Sequence, residues 1–299
     1  MDSIVMSKYL DPKNDMVFKK VFGDNPHLLI SFLNAVLPLP DDREIVTLSY
    51  LLSDNVPPIP GMKYSVADVK CTDNHGRVFI VEMQVDWVDS FKQRLLFESG
   101  QAYVKQLKAG ENFKYLKPVY GLGLIANNFD PDPNHWYHHY QLVNVKKPEK
   151  EIIDQLQLVF IEIPKFPIES KQDKKLRILW LRFMREINEK TKKAAPELLA
   201  VPEIREALEL AEEAAYSDGE LEAYNRYWLQ VSTEKSLISG YYDKGVAVGE
   251  AKGIAQGIVQ GKELAVYELA KEMLHDGMSV EQIAKITKLS LSQVKSLLE

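Results

Sequence analysis

The 299-residue chain carries 37 Lys and Arg against 43 Asp and Glu, a formal net charge of −6, with 45% apolar and 27% charged residues. This is globular composition, which excludes a disordered or collagen-like chain and fits one large domain or two smaller ones. A single cysteine, Cys71, excludes an intrachain disulfide and a Cys-rich zinc site, and the overall acidity gives no general attraction to nucleic acid.

The first residues, MDSIVMSKYLDPKND, lack the charged start and continuous apolar run of a signal peptide. No stretch approaches the roughly 18 apolar residues of a membrane span. A cytoplasmic location without a membrane partner is therefore expected. Residues 15–37 read as a helix, with Met16, Val17, Phe18, Val21 and Phe22 on one face, closed by the stretch from Asn34 to Pro40. A Pro-rich connection from Pro38 to Gly61 follows, with room for a short strand at Ile45–Leu52. Two strands are predicted at Met62–Thr72 and Val78–Val85, then a helix at about Ser90–Ala109. Buried strands follow at Tyr120–Ala126 and Leu156–Ile163, both short, apolar and partly β-branched. This order predicts an α/β fold, a sheet core flanked by helices.

Between the last two strands, the run HWYHHY holds His135, His138 and His139. The spacing could serve a metal, but neither an acid nor a Cys in the run completes a donor set, so an aromatic-rich loop is the expectation. From about residue 171 the chain becomes highly charged and helical, over 171–193, 196–215 and 219–236. A low-complexity tract then spaces Gly245, Gly249, Gly253, Gly257 and Gly261 four apart. In a helix interior each costs about 1 kcal/mol relative to Ala, a cost that close packing against a partner helix would offset. A self-associating stalk giving a homo-oligomer is favoured over a flexible linker. The end of the chain reads as three short helices. Asp276-Gly277 stops the first, and Ser279/Gln282 and Ser290/Gln293 form capping boxes for the next two. From Lys262 to Glu299 five Lys face six acids, which favours a packing or oligomerisation module over a DNA reader. The division expected is 1–236 and 237–299.

The informative segment is the hairpin at 62–86. Alternation puts Tyr64, Val66, Asp68, Lys70 and Thr72 on one face of the first strand, and Val78, Ile80, Glu82, Gln84 and Asp86 on one face of the second. Glu82 and Gln84 interrupt a strand that is otherwise apolar from 78 to 85. Asn74-His75-Gly76 suits a three-residue loop ending in a left-handed Gly. That register sets Thr72 opposite Val78, Lys70 opposite Ile80 and Asp68 opposite Glu82. Opposed side chains have Cβ atoms about 4.5–5.5 Å apart. Two carboxylates so placed need a cation, or one must stay protonated. A hard divalent ion such as Mg²⁺ is the economical answer, and a solvated polar face with accidental charges is the alternative. Asp15 lies at the edge of the first helix's apolar face, where it also pairs with Lys19 one turn on. After the hairpin, Lys92, Arg94, Lys105, Lys108, Lys114 and Lys117 are interleaved with Tyr103, Phe113 and Tyr115. They read either as a phosphate-contacting surface or as a solvated helix face.

These residues resemble the Rpn family of recombination-promoting nucleases, also described as transposases, within the PD-(D/E)XK nuclease superfamily. The likeness rests on Tyr9-Leu10-Asp11-Pro12-Lys13-Asn14-Asp15 with Phe18-Lys19 and Phe22-Gly23, on Val66-Ala67-Asp68-Val69-Lys70, and on Glu82-Met83-Gln84. It continues through Tyr103, Leu116-Lys117-Pro118-Val119-Tyr120 and Glu162 with Pro164-Lys165-Phe166, covering roughly residues 8–230. The resemblance implies a restriction-endonuclease-like mixed β-sheet core and Mg²⁺-dependent hydrolysis of DNA phosphodiesters, with Mn²⁺ as a substitute metal, in recombination or mobile-element biology. Asp68, Glu82 and the Met83 carbonyl would bind the metal, and Asp15 matches the acidic position of the first helix. Gln84 stands where most of the superfamily has a Lys that orients or activates the attacking water. Gln is not a general base and brings no charge, so Lys70 is the candidate replacement cation. The same departure leaves open a catalytically weak, DNA-binding scaffold assembled by its helical tail.

Overall fold

A computed structural model of the protein describes residues 9–40, 42–51, 68–85, 88–167 and 175–298. The expected strand portion 62–67, Asp86 and the first residues of the predicted helix at 171 lie outside these. The chain divides into two compact units, Met1–Asn225 and Arg226–Glu299.

The first unit opens with a short helix α1 (Asp15–Phe18), a π-helical turn (Lys19–Gly23) and α2 (Pro26–Val36). The single helix expected over 15–37 is thus interrupted. Pro26 has no N–H for a continuing ladder and holds Asn25 out of the helical region, so a new helix starts with Pro at its first position. Of the apolar face read from the sequence, Val17, Phe18, Val21 and Phe22 are fully buried and Met16 is partly buried. Phe22 packs 4.9 Å from Phe32 of α2 and 5.5 Å from Trp180, ring centre to ring centre. Trp180 belongs to α4 (Lys175–Glu186), which with α5 (Pro196–Leu199) and α6 (Pro202–Ala211) builds the helical layer around α2. Pro202 likewise splits the helix expected over 196–215.

The sheet has six strands: β1 (Leu48–Tyr50), β2 (Val69–Asp73), β3 (Val78–Gln84), β4 (Val119–Ile125), β5 (Tyr137–Val143) and β6 (Ile152–Glu162), in the order β1-β2-β3-β4-β6-β5. β3, β4 and β6 run parallel to their neighbours in the centre, and the outer pairs are antiparallel. The parallel step from β3 to β4 is made through α3 (Phe91–Val104), whose Phe91 and Leu95 bury against Val78, Ile80, Val119 and Phe160. The alternate residues Phe79 and Val81 are also fully buried, so the sheet is covered on both faces. That explains the near-continuous apolar runs in β3 and β4.

HWYHHY is not a loop: residues 137–140 begin edge strand β5. Its burial is confined almost to His138, and the residues from His139 to Val143 are exposed. A strand wet on most of its length has no apolar alternation to announce it.

The helix α7 (Asp218–His275) begins at the end of the first unit and, within the second, runs without a break through the Gly tract. Beside Gly245, Gly249, Gly253, Gly257 and Gly261 there is open space on every side where a Cβ would point. The capping boxes at Ser279/Gln282 and Ser290/Gln293 form as read and open α8 (Val280–Thr287) and α9 (Leu291–Lys295). Ala270, Ile283 and Val294 make their shared core. No helix among the described residues is long and apolar enough to cross a membrane.

Candidate active site

The β2–β3 hairpin has the expected register, with Val69 opposite Val81, Lys70 opposite Ile80 and Thr72 opposite Val78. The turn sets it. Gly76 sits at φ 76°, in the left-handed region. Asp73 accepts hydrogen bonds from the backbone N–H of His75 (3.0 Å) and Arg77 (2.8 Å) and pairs with the buried Arg77 guanidinium at 2.6 Å. One step beyond Val69–Val81, Asp68 comes beside Glu82. The Asp68 Oδ2 accepts from the Met83 N–H at 2.8 Å, and its Oδ1 lies 3.7 Å from Lys19 Nζ.

The opening motif divides its labour. Asp11 is buried against Lys13 at 2.6 Å, Lys13 donates to the Met184 carbonyl, and Asn14 caps α1 by accepting from the Met16 N–H. These residues anchor the chain, and Asp15 on the first turn faces the charge of Asp68. Burial, and then that charge, raise the Asp15 carboxyl above its usual range. Burial raises Asp68 as well, opposed by the Met83 N–H and by Lys19 and Arg94.

Glu82 is the most perturbed acid of the group. Burial, the neighbouring Asp68 and then Glu98 push its carboxyl up to about 9, against the pull of Arg94. Its Oε1 and both carboxyl oxygens of Glu98 are buried with no N–H or hydroxyl partner among the described residues, and the two carboxyls are close enough to share a proton. Arg94 of α3 donates through Nη2 to Gln84 Oε1 at 2.7 Å and lies 3.5 Å from Glu82 Oε2. Because a guanidinium only donates, the Gln84 oxygen must face Arg94.

The closeness of α3 to the sheet makes this constellation possible. A Cβ at Gly121 would stand 2.6 Å from Ser99 Oγ, and one at Gly123 would stand 2.8 Å from the Phe91 ring. Gly123 lies directly beside Glu82 in the sheet. The two glycines let α3 sit down on β4, and Arg94 and Glu98 then reach the polar end of β3.

The structure therefore gathers Asp15, Asp68, Glu82, Met83 and Gln84. Lys70, opposite Ile80, lines a cleft with Tyr50, Thr72, Lys105, Gln106 and Tyr115. Of the other basic residues, Lys92 stacks on Phe129 and hydrogen-bonds Tyr140. Sequence reasoning missed Glu98 and placed Arg94 on a surface. The signal was present: Phe91, Leu95, Glu98 and Ala102 follow helical spacing, so Glu98 occupies an apolar-face position and is 5% exposed.

Opposed carboxyls with orphaned buried oxygens suit a hard divalent cation, which takes oxygen ligands and offsets their repulsion. No curated protein and no solved structure matches the chain significantly. A family model described as PD-(D/E)XK nuclease family transposase matches residues 12–239. The mixed sheet agrees with that match, and the chain belongs to the PD-(D/E)XK nuclease family transposases.

Proposed function

We propose that the protein is a Mg²⁺-dependent DNA endonuclease acting in recombination or mobile-element biology. The observation that carries this reading is the meeting of Asp68 with Glu82, whose Oε1 is buried without a donor. Asp68, Glu82 and the Met83 carbonyl would hold the ion, with Asp15 beside them. A bound divalent cation lowers the pKa of a coordinated water and offsets charge developing on the phosphate. The Met83 N–H fixes the Asp68 carboxylate, leaving Oδ1 to face Lys19. Arg94 fixes Gln84 by its oxygen, so Gln84 acts on a water or phosphate oxygen as an Nε2 donor. Arg94 brings the positive charge that Gln84 lacks.

The test is nicking of supercoiled plasmid with Mg²⁺ by the wild type beside Asp68→Ala and Glu82→Ala. Activity should be confined to the wild type; equal nicking by all three would overturn the assignment. With a net charge of −6, non-specific DNA affinity should be weak and strongly salt-dependent.

The nuclease domain is assigned to 1–236 and the tail to 237–299, where the Gly-spaced helix serves self-association. What supports that reading is a helix with repeated open Gly positions and exposed Ile254, Ile258 and Val259. Deleting 240–299 should lower the mass seen by light scattering from oligomer to monomer.

A further inference from the structure

A second donor cluster lies where the β4–β5 loop meets β5. Asp130 in the loop completes the set that HWYHHY lacks on its own. Its Oδ2 stands 3.4 Å from His135 Nδ1 and 3.9 Å from His138 Nδ1. One ligand atom from each of the three lies within 4.8 Å of the others. Both separations exceed the usual N–H···O distance of about 2.7–3.2 Å. Around a tetrahedral ion with bonds of about 2.0–2.1 Å, neighbouring donors stand about 3.3 Å apart. The separation of Asp130 from His135 thus matches the edge of such a shell, and that from His138 is somewhat longer.

The surroundings fix each donor. His138 Nε2 lies 2.8 Å from Glu162 Oε1, and both side chains are buried. Glu162 is itself held by Lys165 at 2.9 Å and by the Phe129 N–H at 2.8 Å. With a carboxylate as its partner Nε2 is the donor, and in a neutral ring the lone pair then sits at Nδ1, toward Asp130. A metal-binding His is typically oriented by a carboxylate in this manner. Asp130 is fixed too: its Oδ1 accepts from the Asp132 N–H at 2.8 Å and its carbonyl from Lys165 at 2.6 Å, which leaves Oδ2 toward the imidazoles. His139, on the opposite strand face, binds Gln157 and takes no part.

We propose that Asp130, His135 and His138 form a divalent transition-metal site, with Zn²⁺ the best match to two imidazoles and one carboxylate. Its donors are different residues from the hairpin acids, and their nitrogen chemistry disfavours Mg²⁺. Three protein ligands leave a fourth position for water on the side of His135, which is half exposed. The ion would tie the β4–β5 loop to the edge strand.

The test is Zn²⁺ titration of the untagged full chain by calorimetry, with excess Mg²⁺ present, and metal analysis after dialysis. The wild type and Asp68→Asn should each retain one equivalent. The exposed His135→Ala and the isosteric Asp130→Asn, each checked for native circular dichroism, should lose it. Glu162→Gln should weaken binding by about 10–100-fold. Co²⁺ in the same protein should give visible ligand-field bands that disappear in His135→Ala. Absence of a bound equivalent in the wild type, or binding unchanged in His135→Ala and Asp130→Asn, would overturn the proposal.

Discussion

Replacing Glu82 by Gln should stabilise the metal-free protein, and more so as the pH rises. Folding raises the Glu82 carboxyl from 4.5 to about 9, first through burial and then through Asp68 and Glu98. Between those values the folded state holds a proton that the unfolded state has released. The stabilisation is fully present below the unfolded value and is lost as the pH climbs toward 9. One proton amounts to about 1.4 kcal/mol per pH unit, so wild type should lose on the order of 4 kcal/mol between pH 5 and pH 8 through this group. Gln has nearly the same volume, does not ionise, and its Nε2 can donate to the orphaned oxygens of Glu98. Urea unfolding in EDTA at pH 5, 6.5 and 8 measures the difference. The gap between variant and wild type should widen with pH, and saturating Mg²⁺ should narrow it at pH 8 by binding the ionised wild type. A gap that stays flat with pH, or that narrows as pH rises, would refute the claim that Glu82 is buried with its proton beside two other acids.

Three further outcomes follow from the packing. Gly123→Ala should destabilise by about 1–3 kcal/mol in thermal unfolding, because its Cβ would stand 2.8 Å from Phe91 and lift α3 from the sheet. It should also lower nicking by moving Arg94 away from Gln84. Asp73→Ala should cost about 3–5 kcal/mol by leaving the buried Arg77 guanidinium without its carboxylate, measured by urea unfolding. Burial pushes the Cys71 thiol up to about 12, so it should stay unreactive toward an aromatic disulfide reagent at pH 8 in the native protein and react at once in urea.

The hairpin was legible because its turn chemistry is local. Asn74-His75-Gly76 fixes the register, and the register alone brings Asp68 beside Glu82. The terminal capping boxes were legible for the same reason. Elements whose cause lies elsewhere in the chain were not. Nothing in HWYHHY marks a strand, since β5 is held by its ladder to β6 and stays mostly wet. The donor set there needed Asp130, five residues before His135, to be held by Glu162 at the end of β6 and Lys165 just after it. Arg94 looked like one of several basic residues on a helix, and only the close seat allowed by Gly121 and Gly123 turns it toward Gln84. The break at Pro26 could have been read, because proline at that place forbids the long helix that hydrophobic spacing suggested.

Gln84 changes meaning once Arg94 stands beside it. A lysine would carry charge and donors on one flexible stem. Here the charge comes from α3 and the donor from β3, joined by a 2.7 Å hydrogen bond that sets the orientation of the amide. This arrangement gives up the ionisable amine of a lysine and gains a planar donor fork that holds the amide. Glu98 belongs to the same balance. Two cations, Lys19 and Arg94, face four acids, Asp15, Asp68, Glu82 and Glu98, and Glu82 rises to about 9 first through burial and then through the charges of Asp68 and Glu98. Under the proposed function, a cation bound there would offset this buried negative charge beside a donor already positioned, which is how an acidic chain would remain compatible with a polyanionic substrate.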